Sequence, residues 1–127
     1  MMIYGTLSLA KQYNNEGKID QWMQDFLRAD GKNLALADGL LKEERHYFGL
    51  REIPIALLSD VKSGAPEYLH VENDIQYFFY VVDRMKESLA EGWDAPPLIV
   101  EYVYGKFKVD DGRHRLETYR QLGVDRV

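Results

Sequence analysis

The sequence predicts a small α+β fold. Three observations carry the expectation. Residues 15–30 and residues 72–91 are amphipathic at helical spacing. Residues 98–104, LIVEYVY, are rich in branched and aromatic side chains and read as a strand. Residues 108–123, KVDDGRHRLETYRQLG, begin as a strand, break at two aspartates and a glycine, and resume as a helix.

The elements follow in chain order. In NEGKIDQWMQDFLRAD, residues 15–30, the apolar positions are Ile19, Trp22, Met23, Phe26 and Leu27. That i, i+3, i+4, i+7, i+8 pattern is one helical stripe, with Gly31 as its stop. NLALADGLL is ambiguous and reads at most as a helical turn. RHYFGL and EIPIALL read as extended, with Pro54 placing the second at a sheet edge or a strand start. SDVKSGAPEYLH has the turn residues of a loop. The helix from Glu72 or Asn73 to about Glu91 has Asn73 or Asp74 as its cap. Its buried stripe is Ile75, Phe78, Phe79, Val82, Met85 and Leu89, and Gly92 ends it. Residues 94–97 are a turn. Strand 98–104 passes through a tight Gly105-Lys106 connection to FKV as its hairpin partner. A last helix runs from Gly112 to Gln121 and stops at Gly123. VDRV begins one more strand at a sheet edge or a truncation.

Composition narrows the function. The chain has 127 residues, 46% hydrophobic and 29% charged, which suits one packed domain. The net charge of −5 argues against a broad DNA-binding face, which needs a basic stripe. The absence of cysteine excludes disulfides, thiolate metal sites and cysteine nucleophiles, and fits a cytoplasmic setting. No apolar run reaches the roughly 20 residues that span a bilayer, and the N-terminus lacks the basic start and long apolar region of a signal peptide. His46, His70 and His114 lack zinc-ligand spacing.

The DDGRHR turn carries the chemistry. Arg113, His114 and Arg115 occupy the first helical turn, where the dipole favours acids over bases. The first amides of a helix have no intrahelical acceptor, and a helix start is an anion site. Gly112 lets a backbone approach a ligand closely, and arginine adds forked, charge-assisted bonds. Asp111, Gly112, Arg113, His114 and Arg115 are therefore the candidate phosphate-binding residues. His114 contacts phosphate or moves a proton. Asp111 is a helix cap or, through water, a Mg²⁺ ligand, and Asp110 faces solvent. The plain alternative is a solvated ion-pair face through Arg113–Glu117 and Glu117–Arg120. Tyr77, Phe78, Phe79 and Tyr80 offer rings for base stacking, against the simpler assignment of Phe78 and Phe79 to the core. Tyr68 and Tyr102 are pocket candidates on the same terms.

The combination PPLIVEY, KFKV and DDGRHRLETYRQLG resembles the ParB/sulfiredoxin superfamily. Its domains share a strand–hairpin–G-x-x-R–helix unit, matched here by Gly112 and Arg115 with Leu116, Tyr119, Leu122 and Gly123 following. EIPIALLSDV resembles the early strand of that unit. The resemblance covers residues 52–127. It implies a ParB/sulfiredoxin-like domain at 51–127, a small mixed sheet packed against helices. Residues 1–50 are a helical and extended addition, within one compact domain overall.

The resemblance also implies a nucleotide, ATP, ADP or CTP with Mg²⁺, held at the G-x-x-R turn. The nearest local form is D-G-x-H-R, similar to free serine kinases, which implies phosphoryl transfer or nucleotide hydrolysis. Glu67 and Glu72 are the candidate catalytic acids, and nothing in the sequence selects between them. Arg113 stands at the position of the sulfiredoxin nucleophile, so sulfiredoxin chemistry is excluded. The arginine-rich box of the partition branch is absent. Two alternatives stand beside nucleotide binding. One is a non-catalytic interaction module, as a homodimer or with a protein partner, docking through helix 15–30. The other is a DNA-associated ParB-like protein, which the charge disfavours.

Overall fold

The structure, a computed structural model, describes residues 3–58, 65, 66 and 68–127. It is α+β, with five α-helices and a two-stranded antiparallel sheet among the described residues. The chain divides into two compact units, Met1–Arg51 with Asp94–Pro97, and Glu52–Trp93 with Leu98–Val127.

The first unit holds α1 (Leu7–Asn15), α2 (Ile19–Arg28) and α3 (Leu34–Leu40). α2 carries the expected stripe: Ile19, Trp22, Phe26 and Leu27 are buried, and the helix packs against α1 and α3. Trp22 is 1% exposed, stacks on Phe26 at 4.9 Å and donates from Nε1 to the Tyr4 carbonyl at 2.8 Å. Asp30 fastens the N-terminal segment, its carboxylate accepting from the amides of Tyr4 at 3.0 Å and Gly5 at 2.7 Å. Helix 15–30 as a docking face is thus corrected: its apolar stripe is already buried. The helix also begins later than expected, because Gly17, at φ +72°, separates it from α1.

α1 was not expected. Its Thr6 hydroxyl accepts from the Leu9 amide at 3.1 Å, and the Asp94 carboxylate accepts from the Ser8 amide at 3.1 Å. An acid at a helix start is favoured by the dipole. α3 realises the ambiguous NLALADGLL, with Asn33 as its side-chain cap. RHYFGL forms no strand.

The second unit holds a 3-10 turn (Ile55–Leu58), α4 (Glu72–Ala90), β1 (Ile99–Val103), β2 (Lys106–Asp111) and α5 (Arg113–Gln121). β1 and β2 pair with Val100 opposite Val109, Tyr102 opposite Phe107 and Val103 opposite Lys106. Partners in register share a face. Val100, Phe107 and Val109 therefore turn together into a core of Leu58 and Leu116, joined by Ile53, Ile55, Leu98 and Val127. The hairpin loop is Tyr104-Gly105, both at positive φ, +51° and +80°, as a two-residue turn requires.

EIPIALL and VDRV are corrected together. Neither is a full strand. They meet in one antiparallel bridge, Pro54 opposite Arg126. Ile53 and Val127 exchange both backbone bonds at 2.7 and 2.9 Å. The pairing passes Pro54, with the Ile55 amide donating to the Asp125 carbonyl at 2.8 Å, and stops where Ile55–Leu58 winds into the 3-10 turn. The mixed sheet is corrected with them: all strand pairing among the described residues is antiparallel.

α4 buries Phe78 and Val82 fully and packs against α5. Its N-cap is Val71, which makes no side-chain cap bond, in place of the expected Asn73 or Asp74. α4 ends before Gly92, at φ +92° as expected of a stop.

Candidate functional site

The site forms where β2 gives way to α5. Gly112 sits between them at φ 111°, ψ 27°, a conformation that side chains disfavour. It lets the chain turn from strand to helix in one residue. It is also the N-cap of α5, without a side-chain cap bond. Asp111 as cap is therefore corrected. Its carboxylate accepts instead from Arg115 Nη2 at 3.1 Å, with both side chains largely buried.

This pairing changes the role of Gly112. A Cβ at that position would run into Leu98 Cδ2 and stand 3.0 Å from Arg115 Nη2. The space that glycine leaves is taken by the protein's own side chains. Arg115 is 9% exposed, folded over the turn as a structural cation.

Arg113 differs. Among the described residues it has no ion-pair partner. The expected Arg113–Glu117–Arg120 face is corrected. Glu117 is buried and accepts from Gln121 Nε2 at 2.9 Å. Arg120 Nη2 donates to the Leu58 carbonyl at 3.0 Å. Asp110 is corrected too: its side chain is 8% exposed, with Lys108 Nζ at 3.7 Å.

His114 points to α4. Its ring lies 4.5 Å from that of Phe78, tilted by 32°. Its carbonyl accepts from the buried Thr118 hydroxyl at 2.7 Å. Burial and the neighbouring Arg115 guanidinium push its pKa below the usual 6.5, with Asp111 opposing. The imidazole is thus neutral at neutral pH and able to accept a proton.

His114 also lines a cleft of about 230 Å³ with Pro66, Tyr68, Leu69, Asp74, Tyr77 and Phe78. Two of the four clustered α4 aromatics, Tyr77 and Phe78, reach it. Tyr80 stacks on Tyr77 at 6.1 Å, and Phe79 meets Phe78 edge to face. Of the two pocket candidates Tyr68 lines it, whereas Tyr102 packs on Phe107 in the hairpin.

Of the two candidate acids, Glu67 lies outside the described residues. Glu72 opens α4, is exposed, and accepts from Gln76 Nε2 at 3.3 Å. Among the described residues the acid that lines the cleft is Asp74, which sequence reasoning placed only as a helix cap.

The residues do not make a metal centre on their own. No group of three or more His, Asp or Glu side chains converges on a metal position among the described residues, and Asp111 is engaged by Arg115. No helix among them is long and apolar enough to cross a membrane. Compared with protein-family models, curated proteins and solved structures, the chain shows no match.

Proposed function

We propose that the second unit is a ParB/sulfiredoxin-like domain that binds a phosphate-bearing ligand, in the first place a nucleotide, at the Asp111–Arg115 turn. The observation that carries this is Arg113. A cation at the positive end of a helix is disfavoured, and no described acid compensates it. A phosphate there supplies the missing negative charge and meets the first amides of α5, whose cap makes no side-chain bond. Arg113 takes the phosphate oxygens. Arg115, held by Asp111, shapes the turn beneath them. The Asp111–Arg115 pair keeps the turn in one conformation, so its donors are ordered before a ligand arrives.

His114 links the turn to the cleft. If phosphoryl transfer or hydrolysis follows binding, its neutral imidazole is the group placed to take a proton from a nucleophile. Mg²⁺ then comes as the nucleotide's own counter-ion, because the described residues offer it no built site.

Thermal shift tests the proposal. ATP, ADP, CTP and pyrophosphate are titrated with and without Mg²⁺ against wild type and Arg113→Ala. One-site binding at a hundredfold over Kd adds about 2.7 kcal/mol. Arg113→Ala is expected to keep its own melting temperature and lose the ligand's effect. Arg115→Ala is the poorer probe, since it breaks a buried pair whether or not a ligand binds.

A second class of function, a non-catalytic interaction module, has one observation in its favour. Tyr68, Val71, Tyr77 and Tyr80 are all more than half exposed. It gains ground if no phosphate compound shifts the melting temperature.

A further inference from the structure

The cleft beside His114 has the wrong chemistry for phosphate. Among the described residues its lining contains no lysine or arginine, and Asp74 is the one formally charged residue there. Asp74 has no ion pair with any described residue. Around it stand the rings of Tyr68, Tyr77 and Phe78, with the imidazole of His114 against Phe78. At about 230 Å³ the space is below the roughly 300–1,000 Å³ that encloses a drug-sized ligand. It suits one small head group.

We infer that this cleft binds an alkylated ammonium head group, with Tyr68, Tyr77 and Phe78 supplying ring faces and Asp74 the counter-charge. Three arguments select that chemistry. A neutral apolar ligand would cover the Asp74 carboxylate without replacing its lost hydration. A hard metal ion keeps oxygen ligands on every side, its own waters included, and among the described residues the cleft sets one carboxylate against ring faces and apolar side chains that cannot hold those waters. A quaternary ammonium spreads its charge over methyl groups, so it gains from ring faces and a carboxylate together. Asp74, in the first turn of α4, also suits that helix's dipole. The dipole accounts for an acid there but not for the rings around it.

The same head group occurs on a free small molecule and on a trimethylated lysine side chain. This claim stands apart from phosphate binding. The Gly112 turn and Arg113 take no part in it.

The experiment uses the full chain, isotope-labelled, without nucleotide. Amide and ring resonances of Tyr77, Phe78 and His114 are followed while choline is added. A parallel titration uses 3,3-dimethylbutan-1-ol, its uncharged counterpart of the same shape. Choline is expected to give saturable shifts at these residues and to bind at least several-fold more tightly than the alcohol. Asp74→Asn and Tyr77→Ala are each expected to weaken choline two- to fivefold, in line with an exposed cation–π contact. Both residues are exposed, so the variants keep the fold, and an unchanged melting temperature checks that. A third arm adds a peptide bearing trimethyl-lysine. If it binds more tightly than choline, the source is a protein tail, and if not, a free molecule. Equal affinity for choline and the alcohol overturns the proposal. So does the absence of a saturable choline shift at tens of millimolar, or an Asp74→Asn variant that binds as well as wild type.

Discussion

At the scale of residues, Gly112 and His114 carry the sharpest consequences. Gly112 combines a φ of +111° with contact to Leu98 and Arg115. A methyl group there brings both backbone strain and overpacking. Gly112→Ala is expected to destabilise by about 2–4 kcal/mol in chemical denaturation. A loss below half a kilocalorie would mean the turn relaxes freely. His114 sets a pH dependence. Its folded pKa lies below the ordinary 6.5, so in the window between them the unfolded chain binds the proton and the folded chain does not. The associated stability is complete above 6.5 and is lost as pH falls through that window. Replacing His114 by Gln is expected to flatten the stability-versus-pH curve just below 6.5. A wild-type curve already flat there would contradict the burial. Neither residue's surroundings were legible beforehand. Asp111 and Arg115 are four apart, but they straddle a strand–helix boundary, where helical neighbour rules do not apply. Helical spacing pointed instead to Glu117, which tertiary packing buries.

At the scale of elements, legibility tracked how local the stabilising interactions are. The α2 stripe was readable because four of its five apolar positions are buried. Trp22→Ala is accordingly expected to cost about 3–5 kcal/mol, measured by denaturant unfolding. The hairpin was readable because its branched strands and glycine turn are local signals. α1 was not. Only Ala10 of its nine residues is buried, and its start relies on Asp94, which lies 86 positions from Ser8. The Pro54–Arg126 bridge likewise joins the two ends of the second unit, so each half alone looked like the start of a strand. In the site, the glycine turn was legible from D-G-R-H-R. The role of Asp74 was not, since an acid in a first helical turn is commonplace and only the cleft distinguishes this one.

For the whole molecule, the net charge of −5 bears on partners. Duplex DNA binding needs several phosphate contacts and falls steeply with salt. The chain is expected to leave the mobility of a labelled duplex unchanged at physiological salt. A salt-sensitive retardation would favour the DNA-associated alternative. A single phosphate-bearing ligand is compatible with that net charge, because it asks for one local cation and a helix start. The central claim is therefore local, and one measurement tests it most directly: the change in melting temperature of wild type and Arg113→Ala when ATP, CTP or pyrophosphate is added. A saturable rise in wild type that disappears in a variant of unchanged intrinsic stability is the expected result. No rise with any of them, or an equal rise in both proteins, would contradict phosphate binding at the Gly112 turn.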